Sequence, residues 1–229
     1  MLSSERIYVG VDGVMTPLNQ KQGYKEGKVG VIFWEKDHYK KKGKRGVVRK
    51  REYTATLKSR EEFRDKVMRM YKSIVKQQKP NIIVIGDGAS WIWDMAKEQF
   101  PGCLEILDFY HVSKYIWAVA KAAFPKKDIE QKDWVEQQKK LLFESRWEQV
   151  ISNTHKFRLS RKELREAIKK LENYLNNNSP RIDYKRYLKE GLMIGSGGVN
   201  EKMRGEIYVS GLNTLTWNKP FKNKEYGTT

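Results

Sequence analysis

Two aspartates each follow a segment rich in β-branched residues, where a buried strand is expected to end. Asp12 follows residues 7–11, and Asp87 follows the apolar run 82–85 and one glycine. Carboxylates brought together by two neighbouring strands suit divalent cations such as Mg²⁺, which take oxygen ligands. A pair of such ions can activate a water or a 3′-hydroxyl and stabilise the leaving oxygen of a phosphodiester. The two aspartates therefore predict a metal site for phosphodiester chemistry.

Each aspartate also has a simpler explanation, since both precede a glycine and an Asp-Gly pair after a strand is typical of an ordinary turn. That explanation is favoured for Asp12 or Asp87 taken alone, and only their combination favours a metal site. Asp108 and His111 follow another short strand. Asp108 could cap the next helix, and His111 could orient a ligand or contact a phosphate. A purely structural role for His111 is equally compatible with the sequence.

The predicted strands and helices would position these residues on one sheet. A capping box at 59–62 begins a helix, and Pro80 ends it before the fully apolar strand 82–85. The order is three strands in a meander, helix, strand, helix and strand, which is ribonuclease-H-like. In that arrangement the first and fourth strands are neighbours, so Asp12 and Asp87 would face each other. The predicted strands cover residues 6–10, 28–34, 47–57, 82–85 and 104–107.

The fold class predicted is therefore α/β, with a mixed five-stranded sheet and an all-helical insertion before the last catalytic helix. Residues 1–111 form the ribonuclease-H-like core, and residues 112–190 carry helical signals without strand signals. Residues 191–217 return to the core with the last helix, followed by a tail at 218–229.

The charge of the chain indicates a polyanionic partner. Lys and Arg total 46 against 28 Asp and Glu, a net charge of +18. The segment 36–51 is predicted to be a basic hairpin that could contact phosphates. A solvated loop without such contacts explains the same residues equally well. Its candidate nucleic-acid-binding residues are Lys40, Lys41, Lys42, Lys44, Arg45, Arg49, Lys50 and Arg51.

The remaining composition points to a reducing, cytoplasmic setting. Cys103 is the one cysteine, which excludes an internal disulfide and a cysteine-based zinc site. The first ten residues carry no secretory signal, and no apolar run approaches the roughly 20 residues needed to span a bilayer. We therefore expect no membrane association.

Several of these segments together resemble the ISKra-type insertion-sequence transposases, bacterial relatives of the Mutator-like DDE transposases. The resemblance spans roughly residues 5 to 217, and its most specific part is the block from Asp87 to His111. It is carried by residues 86–93 (Gly-Asp-Gly-Ala-Ser-Trp-Ile-Trp), the pair 100–101 (Phe-Pro), residues 106–111 (Ile-Leu-Asp-Phe-Tyr-His), residues 194–199 (Ile-Gly-Ser-Gly-Gly-Val) and Trp217.

The resemblance implies Mg²⁺-dependent (or Mn²⁺-dependent) cleavage and strand transfer of DNA, with transposon ends and target DNA as partners. Asp12 and Asp87 match the family's two aspartates, and Asp108 with His111 matches its Asp/Cys-x-x-His element. Such enzymes usually act as dimers or larger assemblies, and a bacterial, nucleoid-associated location is implied.

The family's third acidic residue is replaced in this chain. Asn200 stands where the pattern has Glu, and Glu201 is one residue further along. One residue rotates a helical side chain by about 100°, so Glu201 would serve only with a shifted helix. Asn200 can offer a neutral carbonyl ligand, which should weaken metal binding. The alternatives are therefore an inactive, domesticated DNA- or RNA-binding protein, or a nuclease of the same fold.

Overall fold

A mixed five-stranded sheet forms the centre of the computed structural model, which describes residues 5–17, 23–39, 47–158 and 161–195. Its strand order is β5-β2-β1-β6-β7, and two further short strands, β3 and β4, pair with each other. The strands are β1 Arg6–Pro17, β2 Tyr24–Trp34, β3 His38–Tyr39, β4 Val47–Val48, β5 Glu52–Thr56, β6 Asn81–Gly86 and β7 Leu104–Leu107.

The strand directions are those of a ribonuclease-H-like sheet, as predicted. β2 runs antiparallel to both β1 and β5, whereas β6 is parallel to β1 and β7 is parallel to β6. The last paired residues of β1 and β6 are Val11 and Gly86. Asp12 and Asp87 directly follow these two residues, so both lie at the same edge of the sheet, where the parallel pairing stops.

The first strand is longer than predicted. The sequence predicted that this strand ends at residue 10, with Asp12 and Gly13 beyond its end. That prediction is wrong, because β1 pairs with β2 as far as Pro17, which lies opposite Tyr24. Asp12 therefore lies inside a strand, and a turn does not explain the Asp-Gly pair there. The single strand predicted at 47–57 is also wrong, because only β5 joins the sheet while β4 pairs with β3.

Seven helices occur in the described part of the chain. Ser59 caps α1 by accepting the Glu62 N–H at 3.2 Å, as the capping box predicted. Between residues 109 and 189 the described elements are all helical. The helices are α1 Arg60–Val75, α2 Ser90–Gln99, α3 Phe109–Ala123, α4 Asp128–Phe143, α5 Trp147–Thr154, α6 Lys162–Asn178 and α7 Tyr184–Lys189.

The hydrophobic core extends from the sheet into the helices after β7. The buried residues of β6 belong to the same cluster as those of α3 and α6. On α6 the apolar stripe is narrow, with Leu171 and Leu175 fully buried on an otherwise polar helix. The five helices α3 to α7, which follow β7, form the helical block. No described helix has the length and apolar character needed to cross a membrane.

Replacing Leu171 with Ala should destabilise the chain by about 2–5 kcal/mol, because it leaves a cavity beneath α6. Leu188 is a matched control because it is 46% exposed on α7, and Leu188→Ala should cost less than about 0.5 kcal/mol. Urea unfolding of both variants measures the difference. Equal effects would contradict the packing of α6 described here.

Candidate metal centre

Asp12, Asp87 and His111 converge at the edge of the sheet where β1 and β6 stop pairing. One potential ligand atom from each residue lies within 4.8 Å of the other two. The two carboxylates arrive on adjacent parallel strands, and the imidazole arrives on the first turn of α3. The pairing of the aspartates expected from the sequence is thus present in the geometry, with His111 beside them.

Asp87 is held by the turn that joins β6 to α2. Its Oδ1 accepts a hydrogen bond from the Ala89 N–H at 2.9 Å. The next residue, Gly88, has φ +95°, a conformation that side chains rarely adopt, and a Cβ there would lie 2.7 Å from the Tyr174 ring. Glycine at position 88 therefore fixes the turn and admits α6 close to it.

Asp108 begins α3 and lies behind His111. Its Oδ1 accepts the Tyr110 N–H at 2.7 Å as the helix cap, and the residue is 2% exposed. Its Oδ2 lies 3.7 Å from His111 Nδ1. The helix-capping role predicted for Asp108 is therefore present, and the same carboxyl group faces the back of the imidazole.

His111 directs its other nitrogen toward the aspartates. Nε2 lies 3.8 Å from Asp12 Oδ1 and 3.0 Å from Lys114 Nζ. An ammonium group can only donate, so Nε2 accepts from Lys114 and the ring proton of a neutral imidazole is on Nδ1, facing Asp108. This tautomer presents a lone pair to the site, as a metal-ligating histidine requires.

Asp12 is partly buried among the other charged groups of the site. Burial raises its pKa to about 6; His111 in its protonated form and Lys114 oppose that shift, while Asp87 and Asp108 add to it. Its Oδ1 is buried and has no hydrogen-bond partner among the described residues. A cation would satisfy that oxygen, and two carboxylates with one imidazole form a donor set suited to Mn²⁺ and acceptable to Mg²⁺.

Glu26 is a further carboxylate near the site that sequence reasoning missed. A Cβ on Gly13 would lie 2.8 Å from Glu26 Oε1 and 3.8 Å from Asp87 Oδ2. Because Gly13 has no side chain, the carboxylate of Glu26 has room to lie over β1 at this position. The long pairing of β1 with β2 places Glu26 opposite Met15, and no local sequence signal marks that register.

The other predicted site residues are less fully described. Arg51 stacks over the Tyr53 ring at 5.3 Å, and the Arg49 N–H donates to the Asp37 carbonyl. Lys50 is exposed. Seven predicted residues lie outside the described part of the chain: Lys40, Lys41, Lys42, Lys44, Arg45, Asn200 and Glu201.

The described chain reaches the edge of this site at its last residues. The Phe109 N–H donates to the Ile194 carbonyl at 2.9 Å. A Cβ on Gly195 would lie 2.8 Å from the Tyr110 ring and 3.1 Å from Asp108 Oδ1. The stretch that resembles the family's downstream motif therefore begins beside Asp108.

The raised pKa of Asp12 predicts a pH-dependent stability in the absence of metal. Folding favours the protonated carboxyl, so this contribution is present below about pH 4 and is lost as the pH rises through about 6. From pH 4 to 7, wild type should lose on the order of 1–3 kcal/mol of unfolding free energy relative to Asp12→Asn.

Urea unfolding in EDTA across this pH range measures the loss. Asp65→Asn is a matched control because Asp65 is exposed on α1, and it should track wild type. Parallel curves for wild type and Asp12→Asn would contradict the buried, charge-strained carboxyl.

Comparison with known proteins identifies a family for nearly the whole chain. No curated protein matches it. The model of an uncharacterised protein family, UPF0236, matches residues 3–205, a span that includes Asp12, Asp87 and His111. The chain therefore belongs to the uncharacterised protein family UPF0236.

Proposed function

We propose that this chain is the catalytic domain of a DDE-type transposase of the ISKra kind, cutting and joining DNA strands with Mg²⁺ or Mn²⁺. The convergence of Asp12, Asp87 and His111 at one edge of the sheet is the observation that carries this proposal. The resemblance of residues 86–111 to that family supports the reaction class. The net charge of +18 supports a nucleic-acid substrate.

The residues of the site have separable tasks in this proposal. Asp12 and Asp87 would hold a divalent ion, and His111 would supply a neutral nitrogen beside them. A bound divalent ion would polarise the scissile phosphate and favour deprotonation of the attacking water or 3′-hydroxyl. Asp12 must be ionised to bind it, and burial raises the pKa of the metal-free carboxyl to about 6. Protons therefore compete with the ion for Asp12, and activity at limiting metal should fall toward acidic pH.

In this proposal Lys114 contacts the nucleic-acid backbone. It is exposed on α3, and its ammonium group lies 3.0 Å from His111 Nε2. An ion bound at Nε2 would take the lone pair that Lys114 now uses. The released ammonium group would then be available to a phosphate oxygen next to the reacting one.

The second candidate is a non-catalytic nucleic-acid-binding protein that retains the fold and the charge. The presence of Asn200, where the family pattern has Glu, favours it. A third carboxylate is replaced by a neutral amide there, which would weaken metal binding. The two candidates differ in whether strand cleavage occurs, whereas both require binding to nucleic acid.

Cleavage of a labelled DNA duplex in Mg²⁺ or Mn²⁺ tests the catalytic proposal. Asp87→Asn should reduce nicking by at least about 100-fold, because it removes a negative ligand at the centre of the site. Asp65→Asn, which changes an exposed carboxylate on α1, should retain wild-type activity. Salt-sensitive binding without cleavage in either metal would overturn the catalytic proposal and favour the binding protein.

The phosphate contact of Lys114 predicts a change in the salt dependence of DNA binding. Lys114→Gln should weaken binding to all sequences alike and reduce the slope of log K against log[salt] by about 1. Fluorescence anisotropy at several salt concentrations measures it, with Lys97→Gln as control because Lys97 is exposed near the far end of α2. Equal slopes for both variants would rule out a phosphate contact at Lys114.

A further inference from the structure

We propose that Tyr174 of the helical block is a positioning residue for the metal centre, holding the main chain of Asp87 in its ligating orientation. This inference rests on the proposed metal-binding role of Asp87. It makes the helical block part of the site, although none of the metal-ligating candidates lies on α6.

The contact between α6 and the Asp87 turn is short and direct. The Tyr174 hydroxyl donates a hydrogen bond to the Asp87 carbonyl oxygen at 2.6 Å. Gly88 permits this approach, because a Cβ there would lie 2.7 Å from the Tyr174 ring and 3.0 Å from Asn178 Nδ2.

Neighbouring side chains fix the Tyr174 ring and the helix that carries it. Tyr115 of α3 stacks on the ring with centroids 4.1 Å apart and planes 21° apart. Asn178 is 2% exposed, and its Oδ1 accepts the Trp93 Nε1–H at 3.0 Å. α6 is therefore tied to α2 on one side of the turn and to α3 on the other, so the hydroxyl has little freedom to move.

The hydrogen bonds of Asp87 explain why its main chain controls its carboxylate. Its Oδ1 is bonded to the Ala89 N–H within the same turn. Rotation of the Asp87 peptide unit would change the turn that positions the Ala89 N–H, and would thereby disturb the carboxylate that this N–H holds. Tyr174 restrains that rotation from outside the turn, at the carbonyl oxygen.

A second tyrosine of the helical block makes the equivalent contact at the neighbouring strand. The Tyr184 hydroxyl is fully buried and donates to the Leu107 carbonyl at 2.9 Å, one residue before Asp108. The ends of β6 and β7 are thus each held by one tyrosine hydroxyl. Because each hydroxyl contacts a different strand end, removing one should loosen only its own segment.

Mn²⁺ titration of the full chain, followed by electron paramagnetic resonance at pH 7.5, tests the proposal. Tyr174→Phe keeps the ring and its stacking but removes the hydrogen bond, and it should weaken Mn²⁺ binding by roughly 10-fold. Tyr71→Phe is the matched control because Tyr71 lies on α1, away from the site, and its ring packs edge-on against Phe100 at the end of α2. It should bind Mn²⁺ as wild type does.

Amide hydrogen exchange in EDTA gives a second readout that needs no metal. Tyr174→Phe should accelerate exchange in residues 86–90 by about 10-fold or more and leave residues 107–111 unchanged. Tyr184→Phe should do the reverse. A uniform acceleration across the chain would indicate general destabilisation and would overturn the positioning role.

The two readouts separate failure of the inference from failure of the proposed function. Wild-type Mn²⁺ affinity and wild-type exchange in Tyr174→Phe would overturn the role of Tyr174 and leave the metal site standing. A wild-type chain that binds no Mn²⁺ would overturn the proposed function and the metal-positioning role together. Exchange in residues 86–90 would then decide whether Tyr174 restrains the turn itself.

Discussion

The parallel pairing of β1 with β6 forces two carboxylates together at a partly buried place. Asp12 and Asp87 are the residues that follow the last paired positions, Val11 and Gly86. Two negative charges so close require a proton or a cation between them. The desolvation of these carboxylates and their mutual repulsion form the constraint that the other residues of the site must satisfy.

The surrounding elements supply part of the positive charge that the two carboxylates require. α3 begins at Asp108, which places His111 and Lys114 over the carboxylates. Asp108 in turn lies behind His111, with its Oδ2 3.7 Å from the ring Nδ1. Without a metal, the negative charge of the carboxylates is therefore only partly compensated, since Asp12 Oδ1 has no hydrogen-bond partner among the described residues.

The sheet and the pairing of Asp12 with Asp87 could be predicted because their signals are local. The apolar run of β6 and the capping box at Ser59 lie within a few residues of the elements that they define. The full length of β1 could not be predicted, because residues 13–17 are held in a strand by pairing with 24–28 alone. The roles of Gly13 and Gly88 also depend on side chains that are distant in sequence, Glu26 and Tyr174.

Asp108 shows how the same residue can be predicted in one role and missed in another. Its position before a helix predicts a cap, which the Tyr110 N–H confirms. Its relation to Gly195 follows only from the return of the chain to the start of α3. Contacts made across the whole chain leave no periodic pattern in the sequence.

The hydrogen bond from Tyr174 to Asp87 joins residues 87 positions apart, and the one from Met193 to Tyr8 joins residues 185 positions apart. Forming contacts of such long range costs the entropy of closing the intervening chain, and it requires that both partners have been synthesised. A chain still emerging from the ribosome has both aspartates but lacks the contacts that hold Asp87 in place. Formation of the candidate metal site is thereby coupled to synthesis and folding of the chain through α6.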